Sequence, residues 1–215
     1  MNSNAVVMCD FDGTIINIDA AQRTLELFAS PQWRIIEKQF ETGEVSFEES
    51  LQREYELIEA SPDKILRTLD PITVLRPNFE KLIEYCKSKN ASLIVVSGGL
   101  DFYIQHFLAR RNLLNLITLC APRTERTAKG YNVVLPKKFD LASTNFKADL
   151  VKFHKNKGQE VFFVGNGLGD FPAARESQYT FAIKESRLAE LCKQTKILWE
   201  EVEDFQQVID TLSNF

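Results

Sequence analysis

Apolar residues along this chain gather into short runs separated by longer amphipathic stretches. The runs Ala5–Cys9, Ser92–Val96, Ile117–Cys120, Val161–Val164, Thr180–Ile183 and Lys196–Trp199 read as strands. Helical spacing fills most of the gaps, at Phe79–Lys89, Asp101–Arg111, Lys147–Lys157, Phe171–Ser177 and Arg187–Lys193. Strands alternating with helices predict an α/β fold, a doubly wound and mostly parallel sheet covered on both faces. Asp19 to Asp70 breaks the alternation. Its apolar positions, such as Leu25 and Phe28 and later Leu51, Tyr55 and Ile58, keep helical spacing, and no strand pattern occurs there. Pro31 and Pro62 each stand near a helix start, with Ser30 and Ser61 before them as candidate caps. The expected organisation is therefore a core of residues 1–17 and 72–215 carrying an inserted helical bundle, 18–71. Helices placed here either form a lid over the end of the first strand or merely cover the sheet. Their insertion directly after that strand favours the lid. A second irregularity, Thr124–Ala128 and Tyr131–Leu135 around Lys129-Gly130, reads as a β-hairpin, either a flap near the site or an edge hairpin.

Composition narrows the picture. A chain of 215 residues with 44% hydrophobic residues fits one large domain, or one domain with an insertion, around a sizeable core. The net charge of −4 argues against nucleic-acid or membrane-surface partners. No apolar stretch is long enough to span a bilayer. Met1-Asn2-Ser3-Asn4 lacks a basic leader, so a cytoplasmic protein is expected. Cys9, Cys86, Cys120 and Cys192 are scattered and form no CxxC, as expected of reduced thiols. His106 and His154 have no partner at metal-ligand spacing, so structural or surface roles are expected for both.

The chemistry concentrates where strands end. Asp10-Phe11-Asp12-Gly13-Thr14 follows the first strand, and ligands of open α/β sheets bind at the carboxyl ends of strands. Two carboxylates there can hold a divalent metal and leave an oxygen free to attack phosphorus. Taken alone, the pair is also ordinary turn chemistry. Ser97-Gly98-Gly99 follows the second long strand and offers a hydroxyl and open amides to an anion, with a helix start beside them. Lys147 stands at a helix start, where a cation opposes the dipole, a hint that it answers to an anion. Gly165-Asn166-Gly167-Leu168-Gly169-Asp170 ends a third apolar strand, and its oxygens suit a hard cation such as Mg²⁺. All four would face one rim of a single sheet.

With those motifs in that order, the chain resembles the haloacid dehalogenase superfamily over nearly its whole length. It looks most like the branch that holds phosphoserine phosphatase and 2-hydroxy-3-keto-5-methylthiopentenyl-1-phosphate phosphatase. That branch carries a helical cap after the first motif. The stretch Ser97–Tyr103 is closest to the second enzyme and Thr42–Leu51 to the first. The resemblance implies a Rossmann-like core and a Mg²⁺-dependent phosphatase acting on a small phosphomonoester, as a monomer or homodimer. It implies that Asp10 is the nucleophile and that Asp12 is the general acid and then the base. Mg²⁺ would be held by Asp10, the Asp12 carbonyl and Asn166, with Asp170 in support, and the phosphate by Ser97, Gly98 and Lys147. Thr14 would orient the Asp pair.

Two departures from the family pattern bear on substrate and metal. Asn166 stands where the family has Asp. In the cap, Asp19 matches an acid that would hold the substrate headgroup, but Glu54 falls at the position of a headgroup arginine, with Arg53 one residue away and about 100° round the helix. Phosphoserine is then an unfavoured substrate, and a methionine-salvage phosphate the leading one. The alternatives are phosphoserine hydrolysis, phosphotransfer to another acceptor, or a weakened fold that only binds.

Overall fold

A computed structural model describes residues 4–215, so the expectation placed on Met1-Asn2-Ser3 lies outside the described residues. Six strands form one parallel sheet in the order β3-β2-β1-β6-β7-β8: β1 Ala5–Cys9, β2 Ser92–Val96, β3 Thr118–Cys120, β6 Glu160–Gly165, β7 Tyr179–Ile183 and β8 Trp199–Val202. Helices α5 (Phe79–Ser88), α6 (Asp101–Ala109), α7 (Phe146–Asn156), α8 (Phe171–Glu176), α9 (Arg187–Lys193) and α10 (Phe205–Leu212) flank it. Every residue of β1 is buried, because the strand is paired on both edges and covered on both faces. From β1 the strand order runs one way to β2 and β3 and then returns to β6 on the other side. This reversal opens a crevice at the carboxyl ends of β1 and β6, the usual ligand position in such sheets.

The elements follow the sequence pattern closely, with two corrections. The last strand is Trp199–Val202 rather than Lys196–Trp199. It is an edge strand, so Glu200 and Glu201 are tolerated and even protective there, and the apolar run before it is loop. Helix α10 was not anticipated. It is capped by Asp204, which accepts from the Gln206 and Gln207 amides, and it packs Phe205 against Phe79 of α5 with ring centroids 5.0 Å apart.

Between β1 and α5 the chain forms four helices and no sheet strand: α1 Ala20–Phe28, α2 Trp33–Thr42, α3 Phe47–Tyr55 and α4 Pro62–Leu69. Ser61 caps α4 by accepting from the Lys64 amide, and Pro62 sits in its first turn, as expected. Ser30 does not cap α2; Gln32 occupies the cap position without a side-chain bond, and Pro31 lies one residue before it. The antiparallel hairpin is β4 Arg123–Arg126 with β5 Tyr131–Val134. It clasps the helical insert. Arg126 donates to the Ile58 and Glu59 carbonyls, and the Tyr131 hydroxyl donates to the Ala60 carbonyl at 2.8 Å. Its reading as a flap or idle edge gives way to that of a brace. Cys9, Cys86 and Cys192 are buried free thiols and Cys120 is half-buried. Among the described residues, no helix is long and apolar enough to cross a membrane.

Candidate active site

After β1 the chain turns sharply through Phe11–Ile15. Phe11 anchors the turn in the core, edge-on to Phe107 at 5.7 Å and Tyr103 at 6.5 Å. Gly13 holds a left-handed φ of +67° against the Asn166 amide, where a side chain would collide, so only glycine suits the position. Arg76 fastens the turn from outside. Its guanidinium donates to the Thr14 carbonyl at 2.6 Å and the Gly13 carbonyl at 2.7 Å. This positioning residue carried no sequence signal, since its partners lie far away in the chain.

The turn brings Asp10 and Asp12, both buried, to the crevice. Lys147 lies between Asp10 Oδ1 at 2.7 Å and Asp170 Oδ1 at 2.6 Å. It projects from the first turn of α7, which Asn145 caps by accepting from the Ala148 amide. Asp170 Oδ2 accepts the Asn166 and Gly167 amides, each at 2.9 Å, so Asp170 braces both the lysine and the loop. Burial alone would lower the Lys147 ammonium, but Asp10 and Asp170 outweigh it and hold its pKa above the ordinary value. Burial pushes the Asp10 carboxyl up to about 7; Asp170 adds to this and Lys147 works against it. Asp12 is likewise raised, by burial first and then by Asp19 and Asp10. Its Oδ1 accepts the Ala20 amide at 2.9 Å at the start of the insert.

The facing end of the Asn166 amide lies 3.1 Å from Asp10 Oδ2, 2.8 Å from the Asp12 carbonyl oxygen and 2.9 Å from Thr14 Oγ1. Turned one way, the amide puts oxygen there, and three acceptors converge with only the Thr14 hydroxyl to donate. Turned the other way, its NH₂ donates to all three partners. Ligands of an octahedral Mg²⁺, each about 2.0–2.1 Å from the ion, sit about 2.9 Å apart along an edge. The distances from the amide oxygen to Asp10 Oδ2 and to the Asp12 carbonyl oxygen match edges of that length. The set is mixed, and no cluster of three or more metal-holding His, Cys, Asp or Glu side chains occurs among the described residues. Thr14 bonds Asn166, so it orients the amide rather than the Asp pair.

At the end of β2, Ser97 is fully buried and its Oγ accepts the Gly99 amide at 2.9 Å. Gly98 lines the cavity, and its carbonyl accepts the Tyr55 hydroxyl from α3 at 2.9 Å. The sequence pattern marks Tyr55 as an apolar helix position, and its hydroxyl also ties the insert to the core. The cavity, of about 480 Å³, has Asp10, Asp12, Lys147, Asn166 and Asp170 among its lining residues. It is roomy enough for a small metabolite. The insert contributes further walls, including Asp19, Glu37, Phe47, Leu51 and Glu54. Phe47 sits against Gly98 and Gly169, with the Lys147 ammonium 5.6 Å from its ring centre. Of the insert's aromatics, Phe47 lines the cavity, whereas Trp33 is buried core and Phe28 lies outside the lining. Arg53 does not reach the cavity; it bonds Gln39 at 3.0 Å and pairs with Glu49 at 3.3 Å.

A parallel sheet that brings two buried carboxylates, a buried lysine and an oxygen cluster together at its switch point has the architecture of a phosphate-handling hydrolase. The model of the haloacid dehalogenase-like hydrolases matches residues 7–175, and the chain belongs to that family. A 2-hydroxy-3-keto-5-methylthiopentenyl-1-phosphate phosphatase of Bacillus cereus (strain B4264) is 27% identical over 207 residues, 94% of this chain and 93% of that protein. A protein of the same name from Brevibacillus brevis is 24% identical over 217 residues, 99% and 96% of the two chains. Among solved structures, a phospho-aspartyl intermediate analogue of phosphoserine phosphatase superposes with a TM-score of 0.70 at 19% identity, covering 97% of this chain and 98% of that one. At that identity the likeness speaks for the fold alone.

Proposed function

We propose that the protein is a Mg²⁺-dependent phosphatase that hydrolyses a small-molecule phosphomonoester through a phosphorylated Asp10. The observation that carries this reading is the placement of Asp10, with one carboxylate oxygen on Lys147 and the other in the oxygen cluster with Asp12 O and Asn166. Asp10, the Asp12 carbonyl and Asn166 would hold the ion, which supplies positive charge to offset repulsion between carboxylate and phosphate.

In the first half-reaction an Asp10 oxygen bonds to phosphorus and the bond from phosphorus to the leaving oxygen breaks. Asp12, whose raised pKa keeps its proton available, protonates that oxygen. In the second, Asp12 takes a proton from water, the water oxygen bonds to phosphorus and the bond to Asp10 breaks. Lys147, Ser97 and the Gly98 amide hold the phosphoryl oxygens as charge moves across them. Residues 18–71 act as a cap that shelters this chemistry. The similarity to the Bacillus and Brevibacillus enzymes makes a methionine-salvage phosphate the leading candidate substrate.

The test is turnover of p-nitrophenyl phosphate by wild-type protein and Asp10→Asn, with and without Mg²⁺. Wild-type turnover should require the metal, and Asp10→Asn should lose on the order of 10³-fold or more. A freshly purified Asp10→Asn protein with near wild-type turnover would overturn the aspartyl-phosphate route. Phosphate binding without any turnover would make the protein a binding module.

A further inference from the structure

Beyond the phosphate end, the cavity wall is acidic. Asp19 from the start of α1, Glu37 from α2 and Glu54 from α3 all line it. Glu54 is only 8% exposed, and among the described residues its carboxylate accepts no hydrogen bond and joins no ion pair. With no such partner, this largely buried carboxyl is left to water or a ligand in the cavity. The neighbouring cation does not answer it, because Arg53 is engaged by Glu49 and Gln39 on the far side of its helix. Arg187 also lines the cavity, but its side chain is 61% exposed and already paired with Glu190 at 2.7 Å. Gln22, Ser50 and Glu41, the last of these paired with Lys38, line the same wall, along with Leu25, Phe40 and Leu51. These apolar neighbours exclude water and strengthen any charge interaction made there.

We propose that Glu54, Glu37 and Asp19 form the leaving-group subsite, and that it accepts phosphoesters whose leaving group presents hydrogen-bond donors, ammonium or hydroxyl, while turning away those that carry a carboxylate. The inference rests on the phosphatase reading, because it takes the phosphate to be held at Lys147 and Gly98. Glu54, Glu37 and the free oxygen of Asp19, whose Oδ1 caps α1 through the Gln22 amide, give donors several places to bond. An incoming carboxylate would meet like charge on this wall, since Arg187 is exposed and already paired with Glu190. The electrostatics agree in direction: burial, then Glu37 and Asp19, push the Glu54 carboxyl up to about 8. A donor ligand relieves that crowding and a second anion deepens it.

Calorimetry on the Asp10→Asn protein with Mg²⁺ separates this selectivity from turnover. The probes are phosphoethanolamine for ammonium, glycerol phosphate for hydroxyl and phosphoglycolate for carboxylate. At least one of the first two should bind about tenfold more tightly than phosphoglycolate, or about 1.4 kcal/mol. Whichever binds tighter identifies the donor. Glu54→Gln and Glu37→Gln should each shrink the ratio several-fold, whereas the exposed Glu49→Gln should leave it unchanged. Equal or tighter binding of phosphoglycolate, no binding of any probe, or a ratio indifferent to both substitutions overturns the subsite. Loss of wild-type p-nitrophenyl phosphate turnover with the affinity order intact would instead overturn the phosphatase reading alone.

Discussion

At the residue scale, Asn166 separates two states that an aspartate there would merge. Its amide can face Asp10 Oδ2 and the Asp12 carbonyl with donors, or offer oxygen to an ion. Asn166→Asp removes the donor option and adds a charge. Mg²⁺ affinity should rise on the order of tenfold, and the metal-free protein should melt at a lower temperature than wild type. A Mg²⁺ titration followed by thermal unfolding reads both effects, and unchanged values would mean that position 166 does not touch the ion. Glu54 gives a second prediction, with a definite sign. Its folded pKa of about 8 stands above the unfolded value of about 4.3. Between those limits the folded protein binds more protons than the unfolded one, so stability falls as pH rises through the window. Glu54→Gln removes the titration and should stabilise by roughly 4–5 kcal/mol at pH 8, with little effect at pH 4. Melting curves at both values check it; a uniform shift at both would argue against a buried titrating carboxyl. That Asp10, Asp12, Lys147 and Asn166 meet at one cavity was legible, because each sits at a strand end or helix start, which sequence pattern locates; Ser97, also at a strand end, is buried outside the lining. Arg76 was not, since its role depends on carbonyls of a distant turn.

At the scale of elements, α3 is the working face of the insert. It carries Phe47 against Gly98 and Gly169, Tyr55 to the Gly98 carbonyl and Glu54 to the cavity. Its amphipathic pattern showed a helix with a buried stripe, but it could not distinguish a stripe facing core from one facing a ligand. Tyr55→Phe keeps the packing and removes one hydrogen bond between insert and core. We expect a loss of about 1 kcal/mol in stability and a weaker hold on substrate, seen as a raised KM. The hairpin supports α3 from behind. A side chain at Gly130 would meet the Glu56 backbone, with its Cβ 2.0 Å from the carbonyl oxygen. Gly130→Ala should therefore lift the hairpin from the insert, and limited proteolysis should cut residues 56–60 faster than in wild type. The shifted β8 shows the matching limit of pattern: an edge strand buries one side only, so charged residues occupy it and an apolar loop nearby takes its place in the reading.

At the scale of the whole molecule, acids far outnumber bases around the cavity, and the substrate is itself an anion. A cation held there would therefore bear on stability as well as on catalysis. Chelation with EDTA should abolish turnover and lower the melting temperature, and Mg²⁺ at a hundred times its dissociation constant should restore about 2.7 kcal/mol. A melting temperature indifferent to both would argue that no ion binds the folded state. The parallel sheet, its strand order aside, was readable because buried strands are nearly pure apolar runs. Contacts between insert and hairpin were not, because they join segments with no shared pattern. Those contacts constrain how the protein can be recombined. Ile16 and Leu75 pair where the insert leaves and rejoins the core, which invites its exchange as a cassette between relatives. Yet Arg126, Gly130 and Tyr131 hold its far side from well downstream. A chimera that takes residues 18–71 alone would inherit a specificity wall without its fastening. One that also takes 123–134 would move selectivity and fit together.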